Sequence, residues 1–560
     1  MPLSWKDSTY EVLPALSVRG RNLRHSLRII TLAWMYGVVW MSCTTGEQVR
    51  IFAKMIGFND FAFGLMGALP FLATFGQLNM AVLIERTGRR KMPFLSLALV
   101  HRLLWVGVAV VPLLMGPSVA AVAVMLAIFG MSSFLGAMSS PPWMTWMGDL
   151  IPRRIRGRYF ARRAQFSQVI QIIVVIALSL LVDYVMDKNL PQTIAAQPML
   201  LWTVCGILTV GAVFGMLDIW TFRKVREVVP PSRLVNRPAV FTVTVPRPRW
   251  PWQLPRYWLT AGGQAVDQLL LRPLRDPVFR NYVCYGATIT FTMTASGWYF
   301  WRLSSETLHF SALGTNTLFM VIGPLAGTVT AGMWGRMQDV WGRRPVLIVA
   351  TVGASISTLP WLFANPHTPN PLWLIDGVNQ VVGWMGGLVG AHGWQLLTPQ
   401  MPVGSYMLAV IGCIIGGVSW TGVGLAQTGV VLGFADGNGR SVYVAASSVL
   451  ISIGGALGGL IGGTIAQSMH SLQDIPLQLG PIIWNNWHVT IVLSLVVRVA
   501  SLAWLKGMPD PGARSVKDLL RLATVNTFNT AASRFFWPLR VFGWSRGQQN
   551  ISSDERNNGQ

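Results

Sequence analysis

"WGRMQDVWGRRP", residues 334–345, interrupts a chain that is apolar on both sides. "LFMVIGPLAGTVTAGM" (318–333) precedes it and "VLIVATVGASISTLPWLF" (346–363) follows. A run of roughly 18 or more apolar residues reads as a membrane-crossing helix. A short stretch carrying Arg336, Asp339, Arg343 and Arg344 between two such runs therefore reads as a tight turn at a membrane surface. A related interruption, "AVLIERTGRRKMP", occupies residues 81–93.

The whole composition agrees with that reading. Of 560 residues, 52% are hydrophobic and 12% charged, about half the charge of an ordinary soluble domain. Trp (25) and Gly (56) are abundant, as expected where Trp collects at bilayer interfaces and Gly is tolerated inside spanning helices. Strands of a transmembrane barrel would alternate over about 10 residues instead of running apolar throughout. The 44 Lys+Arg against 21 Asp+Glu, net +23, lie mainly in the loops and tails. Positive-inside bias and anionic lipid account for them there, so nucleic acid is not an expected partner. Cys43, Cys205, Cys284 and Cys413 are far apart in apolar surroundings and form no disulfide framework or metal motif. No cofactor or metal is expected.

Twelve spans are predicted, at about 27–48, 61–84, 93–115, 118–147, 159–183, 199–222, 281–303, 311–336, 345–364, 405–434, 440–467 and 484–506. The fold class is thus an all-α polytopic membrane protein of two six-helix bundles, 27–222 and 281–507. Between them lies a Pro- and Arg-rich connection, 223–280, with tails at 1–26 and 508–560. Residues 1–26 lack the apolar core and cleavage site of a signal peptide. Loops after the even-numbered spans hold most Lys and Arg, with "RRIRGRYFARR" (153–163) the densest. Positive-inside then puts both termini and the connection in the cytoplasm. Arg50, Lys54 and Lys188 are the few basic residues on the outer side. An unusually long outer loop, 365–404, contains a partly apolar stretch that reads as a re-entrant or a surface helix. Val516, Leu519, Leu520 and Ala523 lie at helical spacing in the tail, as in a helix on the inner leaflet or a solvated one.

The two interruptions align. Glu85 falls on Asp339, Gly88 on Gly342, Arg89 on Arg343 and Arg90 on Arg344, each pair 254 positions apart. Gly157 and Arg158 fall on Gly439 and Arg440, 282 apart. The extra residues of the second half belong to the long outer loop. Two halves in the same orientation form a parallel repeat.

Here the sequence resembles the major facilitator superfamily of secondary transporters. Its signature between the second and third spans is Gly-x-x-x-Asp-x-x-Gly-Arg-Arg/Lys. "GRMQDVWGRR" (335–344) matches every fixed position from Gly335 to Arg344, and "AVLIERTGRR" (81–90) matches more loosely, with Ala81 and Glu85 for Gly and Asp. The resemblance implies a cytoplasmic latch between the halves. Glu85 would face the start of span 11 near Gly439 and Arg440, and Asp339 the start of span 5 near Gly157 and Arg158. Arg89, Arg343, Asp149 and Asp436 would extend these contacts. A carboxylate at a helix N-terminus gains about 0.3–1 kcal/mol when exposed and up to about 2 when partly buried. The plainer alternative is that the basic turns only enforce topology.

Inside the spans, "LALVHRLLW" (97–105) is the sharpest anomaly. Arg102 lies about nine residues into span 3, about 14 Å deep, where a charge costs at least about 2.5–3.5 kcal/mol. It reads as a substrate or coupling residue, or as a packed structural one. The family's central cavity implies further candidates: Trp34 and Tyr36 in span 1, Gln165, Gln168 and Gln171 in span 5, Tyr285, Thr288 and Thr292 in span 7, Asn316 in span 8, and Trp420 and Gln427 in span 10. Each taken singly is more often interhelical packing than a ligand contact. "GGALGGLIGG" (454–463) would permit close helix packing in span 11.

No P-loop, GxSxG or HExxH motif occurs in the sequence, and the chain reads as a non-enzyme. The resemblance implies alternating-access transport of a small, neutral or weakly polar organic solute, with or without a coupling proton or ion, by a monomer in the cytoplasmic (inner) membrane. The alternative is a transporter-like assembly, pigment-delivery or sensing subunit of a larger membrane complex.

Overall fold

The computed structural model describes residues 18, 20–77, 80, 83–84, 89–187, 189–228, 267–388, 397–398, 401–433, 440–479 and 482–508. Glu85, Gly88, Asp436, Gly439, most of the central connection and the tail beyond 508 lie outside the described residues, and so does the expected tail helix. Ten helices are long and apolar enough to cross a membrane by length and composition. Spans 1 and 3–6 correspond to Gly20–Cys43, Lys91–Met115, Val119–Leu150, Arg153–Val185 and Pro198–Phe222. Spans 8–12 follow at Ala312–Trp341, Arg343–Phe363, Val403–Gly433, Arg440–Ser468 and Asn486–Leu505. The two remaining expected spans are helical in place. Span 2 runs Asp60–Leu72, with Pro70 inside it, and then turns at residues 73–74. Proline removes a helical hydrogen bond and crowds the preceding turn, yet the helix continues through Pro70 to Leu72. Span 7, Pro277–Arg302, contains Arg280, Asn281 and four threonines among its apolar residues.

Span 1 ends earlier than its hydropathy suggests. After Cys43 the chain turns at Gly46 and starts a separate helix, Glu47–Ile56, on the face opposite the signature turns, the one expected to be outer. Gly46 has φ +90°, and a Cβ there would lie 2.7 Å from Asn316 Oδ1 of the other half. Both the backbone conformation and the close approach require glycine. The polar residues 44–48 thus belong to the outer face and not to the span. Gly342, the glycine of the complete signature, ends span 8 at φ +92°, the tight turn expected of it. On the outer side, the long loop holds a helix at Leu372–Leu388, and a short hairpin pairs Leu477–Leu479 with Ile482–Trp484.

Each half has its own apolar core. Phe52, Phe63, Val108, Leu200 and Leu208 are fully buried in the first; Tyr285, Val346, Leu347, Leu318 and Ile491 in the second. Outward-facing Leu114, Val119, Tyr184 and Trp202 are more than half exposed, an apolar surface of the kind lipid covers.

The halves meet through span 2 and span 11, and here the glycine run is decisive. Gly454, Gly458 and Gly462 touch the backbone of span 7 at Ala287, Phe291 and Ala295, within their own half. Gly455, Gly459 and Gly463 instead face span 2 of the opposite half. A Cβ on Gly459 would lie 2.6 Å from the Gly64 carbonyl oxygen and 2.8 Å from the Ala68 nitrogen. Small residues at i, i+4 and i+8 let backbones approach closely. The paired glycines give span 11 two such faces, one within its own half and one between halves.

Candidate functional site

Hydrogen bonds and ion pairs that join the halves gather around Glu306, Asp60 and Asn316, on the face opposite the signature turns. The centre of this seal is Glu306, in the π-helical turn Leu303–Thr307 that extends span 7. Arg50 Nη1 donates to Glu306 Oε1 at 2.9 Å, and Lys54 Nζ to Oε2 at 2.7 Å. From its own half, Arg302 Nε donates to Oε1 at 3.0 Å. Arg50 also binds Glu47 Oε1 at 2.7 Å and Gln192 Oε1 at 3.1 Å. Arg302 continues the chain of charges to Asp60. The fully buried Asp60 carboxylate further accepts from Asn486 Nδ2 at 2.9 Å and Trp487 Nε1 at 3.1 Å, and meets His470 Nδ1 at 3.0 Å. Three carboxylates and three cations thus alternate across the seam, so the buried network is electrically balanced. Burial alone would raise the Glu306 carboxyl, but Arg50, Arg302 and Lys54 more than offset it and hold it down to about 2. For Glu47 burial wins over Arg50, and its carboxyl sits above the ordinary range.

Two contacts outside the ion network complete the seal. Asp183, at the outer end of span 5, accepts from the Ala312 and Leu313 backbone nitrogens at 2.7 and 2.8 Å. This is a carboxylate on the N-terminus of a helix in the other half, with the charge matched to the helix dipole. Asn316 accepts from the Glu47 nitrogen at 2.9 Å and donates to Ser179 Oγ at 2.8 Å.

At the end that carries the signature turns, Arg90 is buried and pairs with Asp149 within the first half. The Arg90 and Lys91 nitrogens each donate to Glu227 at 3.1 Å. Arg89 and Asp339 are exposed, and Arg343 and Arg344 are half-buried. A Cβ on Gly429 of span 10 would lie 3.6 Å from Arg343 Nε. Gly335 sits in the last turns of span 8 with open space beside it. Gly157, Arg158 and Arg440 fall on helices, but their surroundings lie outside the described residues.

A cavity of about 290 Å³ opens in the second half among spans 7, 8, 9, 10 and 12. Its wall is an aromatic ladder. Trp301 and Phe319 are 4.5 Å apart, Phe319 stacks on Trp361 at 5.5 Å, and Phe300 meets Trp361 edge-on at 5.3 Å. Ser296, Ser357 and Thr358 add hydroxyls, and Trp420 and Arg498 complete the lining. Trp420 is the sequence candidate that lines it.

The other candidates take different places. Arg102 pairs with Asp218 at 3.4 Å and lies 3.3 Å over the Trp40 ring, inside the first half. Trp34 packs under Arg163 at 4.4 Å, and Tyr36 near Phe214 at 6.1 Å. Tyr285 is buried and bonded to Thr351 Oγ1 at 2.6 Å. Thr288 bonds back to the Cys284 carbonyl, and Thr292 lies behind Arg498. Gln165 is exposed, while Gln168 and Gln171 are half-buried. Gln427 has a buried, unpartnered Nε2. Asn316 belongs to the outer seal. Sequence reasoning missed Arg498, although "VLSLVVRVASLAW" (492–504) carries the same signal that singles out Arg102. It also missed the outer seal, whose signal was Arg50 and Lys54 on the side poor in basic residues.

A sequence profile of the Major Facilitator Superfamily matches residues 29–406. The chain belongs to this superfamily. Solved structures share the fold. The nucleoside transporter NupG aligns with TM-score 0.53 at 13% identity, over 87% of this chain and 99% of its own. A bacterial homologue of the human lysosomal transporter Spinster, inward-facing and unoccupied, aligns with TM-score 0.54 at 12% identity, over 88% and 100%. The xylose transporter XylE from E. coli, partially occluded and inward open, gives 0.51 at 12%, over 89% and 100%. No curated protein sequence matches. As a superfamily member with this fold, the protein is a multi-pass membrane protein and a secondary transporter of small solutes.

Proposed function

We propose that the protein moves a small organic solute across the cytoplasmic membrane by alternating access, and that the arrangement described here is its state closed to the outside. The observation that carries this reading is the balanced ion network from Glu47 to Asp60. It is assembled from both halves, so rocking them apart must break it. The cavity beside Trp420 is the solute site in this reading. The cytoplasmic signature turns are the counterpart latch, which forms when the outer seal opens. Both termini lie in the cytoplasm, the monomer is the working unit, and anionic lipid meets the basic inner loops. A proton is the coupling ion that a seam of carboxylates would admit.

Access to the cavity tests the proposal. Ser296→Cys, in a protein whose four natural cysteines are replaced by serine, is treated with a membrane-impermeant thiol reagent. Labelling is expected in inside-out vesicles and protection in right-side-out ones. Equal labelling from both sides, in both vesicle orientations, contradicts an outward seal.

A further inference from the structure

Arg498 is almost fully buried, about 18 Å along span 12 from Asn486. It donates to Thr292 Oγ1 at 3.3 Å, to the Ala354 carbonyl at 2.6 Å and to Ser494 Oγ at 3.0 Å. All three acceptors are neutral. Among the described residues no carboxylate comes within 4.0 Å of it. Its three bonds use three of the five N–H groups of a guanidinium. One face of the group lies 5.0 Å from the Trp420 ring, and the residue lines the cavity.

The first half shows how the fold neutralises such a group when no ligand is needed. There the guanidinium between spans 3 and 6, Arg102, meets Asp218 and rests on Trp40. The buried guanidinium of the second half, Arg498 of span 12, faces Trp420 and meets span 9 only through the Ala354 backbone carbonyl, with no carboxylate to neutralise it among the described residues. A buried cation without a counter-ion is costly in a protein and more so in a membrane. Here its free donors adjoin a cavity with an aromatic wall.

We infer that the cavity takes a small organic monocarboxylate with an apolar or aromatic body, its carboxylate neutralising Arg498 and its body lying along Trp361 and Phe319. This rests on the transporter reading above and names its substrate class. Two forked N–H groups match a carboxylate, which accepts bidentate bonds. The volume of about 290 Å³ lies at the small end of ligand pockets. A dianion would bring one charge more than the site neutralises. A neutral solute would leave the guanidinium as it is.

The test uses the purified full chain and three acids, benzoate, phenylacetate and hexanoate, each against its own amide. Melting temperature is followed over ligand concentration, since a ligand of the folded state stabilises with the logarithm of its concentration. At least one acid is expected to stabilise the wild type while its amide does not. Arg498→Gln should weaken that acid on the order of 30-fold, with Arg498→Lys falling between. If Arg498→Gln does not fold, the wild-type acid–amide difference and its loss in Trp361→Leu and Trp420→Leu carry the test. Amides that stabilise as well as acids, or no response to any acid, overturn the inference. Ser296→Cys labelling, run on the same protein, separates the outcomes. One-sided labelling without an acid effect overturns the substrate class alone, whereas two-sided labelling overturns the transport reading beneath it.

Discussion

Glu306 holds three cations in place, two of them from the opposite half. Replacing it by glutamine leaves Arg50, Lys54 and Arg302 facing one another without their shared counter-charge. Breaking a buried ion pair from one side costs about 3–5 kcal/mol, at least on the order of 100-fold in the closed-to-open ratio. Glu306→Gln should therefore turn the one-sided labelling of Ser296→Cys into labelling from the outside as well; unchanged protection would show that the network is ornamental. The pH dependence follows from its titration. In an open gate the exposed carboxyl titrates near about 4.3, whereas the closed gate holds it to about 2. Its contribution to closure is complete above about pH 4.3 and is lost as pH falls towards about 2. Glu47 has the opposite sign, because a group held above its ordinary value favours closure when it takes up a proton. From pH 5 to 8, labelling should not respond to Glu306, and a response there that Glu306→Gln removes would contradict this assignment. At this scale the sequence was legible in part. Arg102 is visible as a charge in an apolar run, but its partner Asp218 lies 116 positions away, and no local pattern encodes such a pairing. Arg50 and Lys54 were visible as exceptions to the loop-charge rule, yet only the fold brings Glu306 and Asp60 to them.

Span 11 separates two kinds of close packing on one helix. Gly459 faces span 2 across the halves, and Gly458 faces span 7 within a half. Added side chains at either position must displace backbone, at a cost of typically about 1–3 kcal/mol. The consequences differ by face. Gly459→Val should open the outer side, seen as labelling of Ser296→Cys from outside, with little change in melting temperature. Gly458→Val should lower the melting temperature and leave the sidedness of labelling intact. The same phenotype from both would mean that the two faces are not mechanically distinct. The glycine run and its close packing were legible from "GGALGGLIGG" itself. The assignment of alternate glycines to two partners was not, because spacing gives the faces of a helix and not its neighbours. Span ends were least legible where polar outer residues adjoin apolar ones. The turn at Gly46 ends span 1 five residues before the hydropathy pattern does, since that pattern does not register a glycine demanded by an approaching asparagine.

Across the whole molecule, the internal repeat was the strongest signal. Two copies of one charged turn at matched positions pointed to two parallel halves, and the superfamily match bears out the fold. The repeat also explains why symmetry alone could not give the site. The halves share a scaffold but differ in chemistry: a paired Arg102 in one, an unneutralised Arg498 beside an aromatic cavity in the other. Alternating access requires that the two ends of the seam move in opposite senses. Spin labels at Leu190 and Ile475, both exposed on the outer side of opposite halves, report one end. Labels at Met92 and Val340, exposed at the signature-turn ends of spans 3 and 8, report the other. Pulsed dipolar distances for both pairs, in the wild type and in Glu306→Gln, test the central claim most directly. The account predicts that Glu306→Gln lengthens the outer distance and shortens the cytoplasmic one. Distances that stay fixed, or that lengthen together, would contradict it.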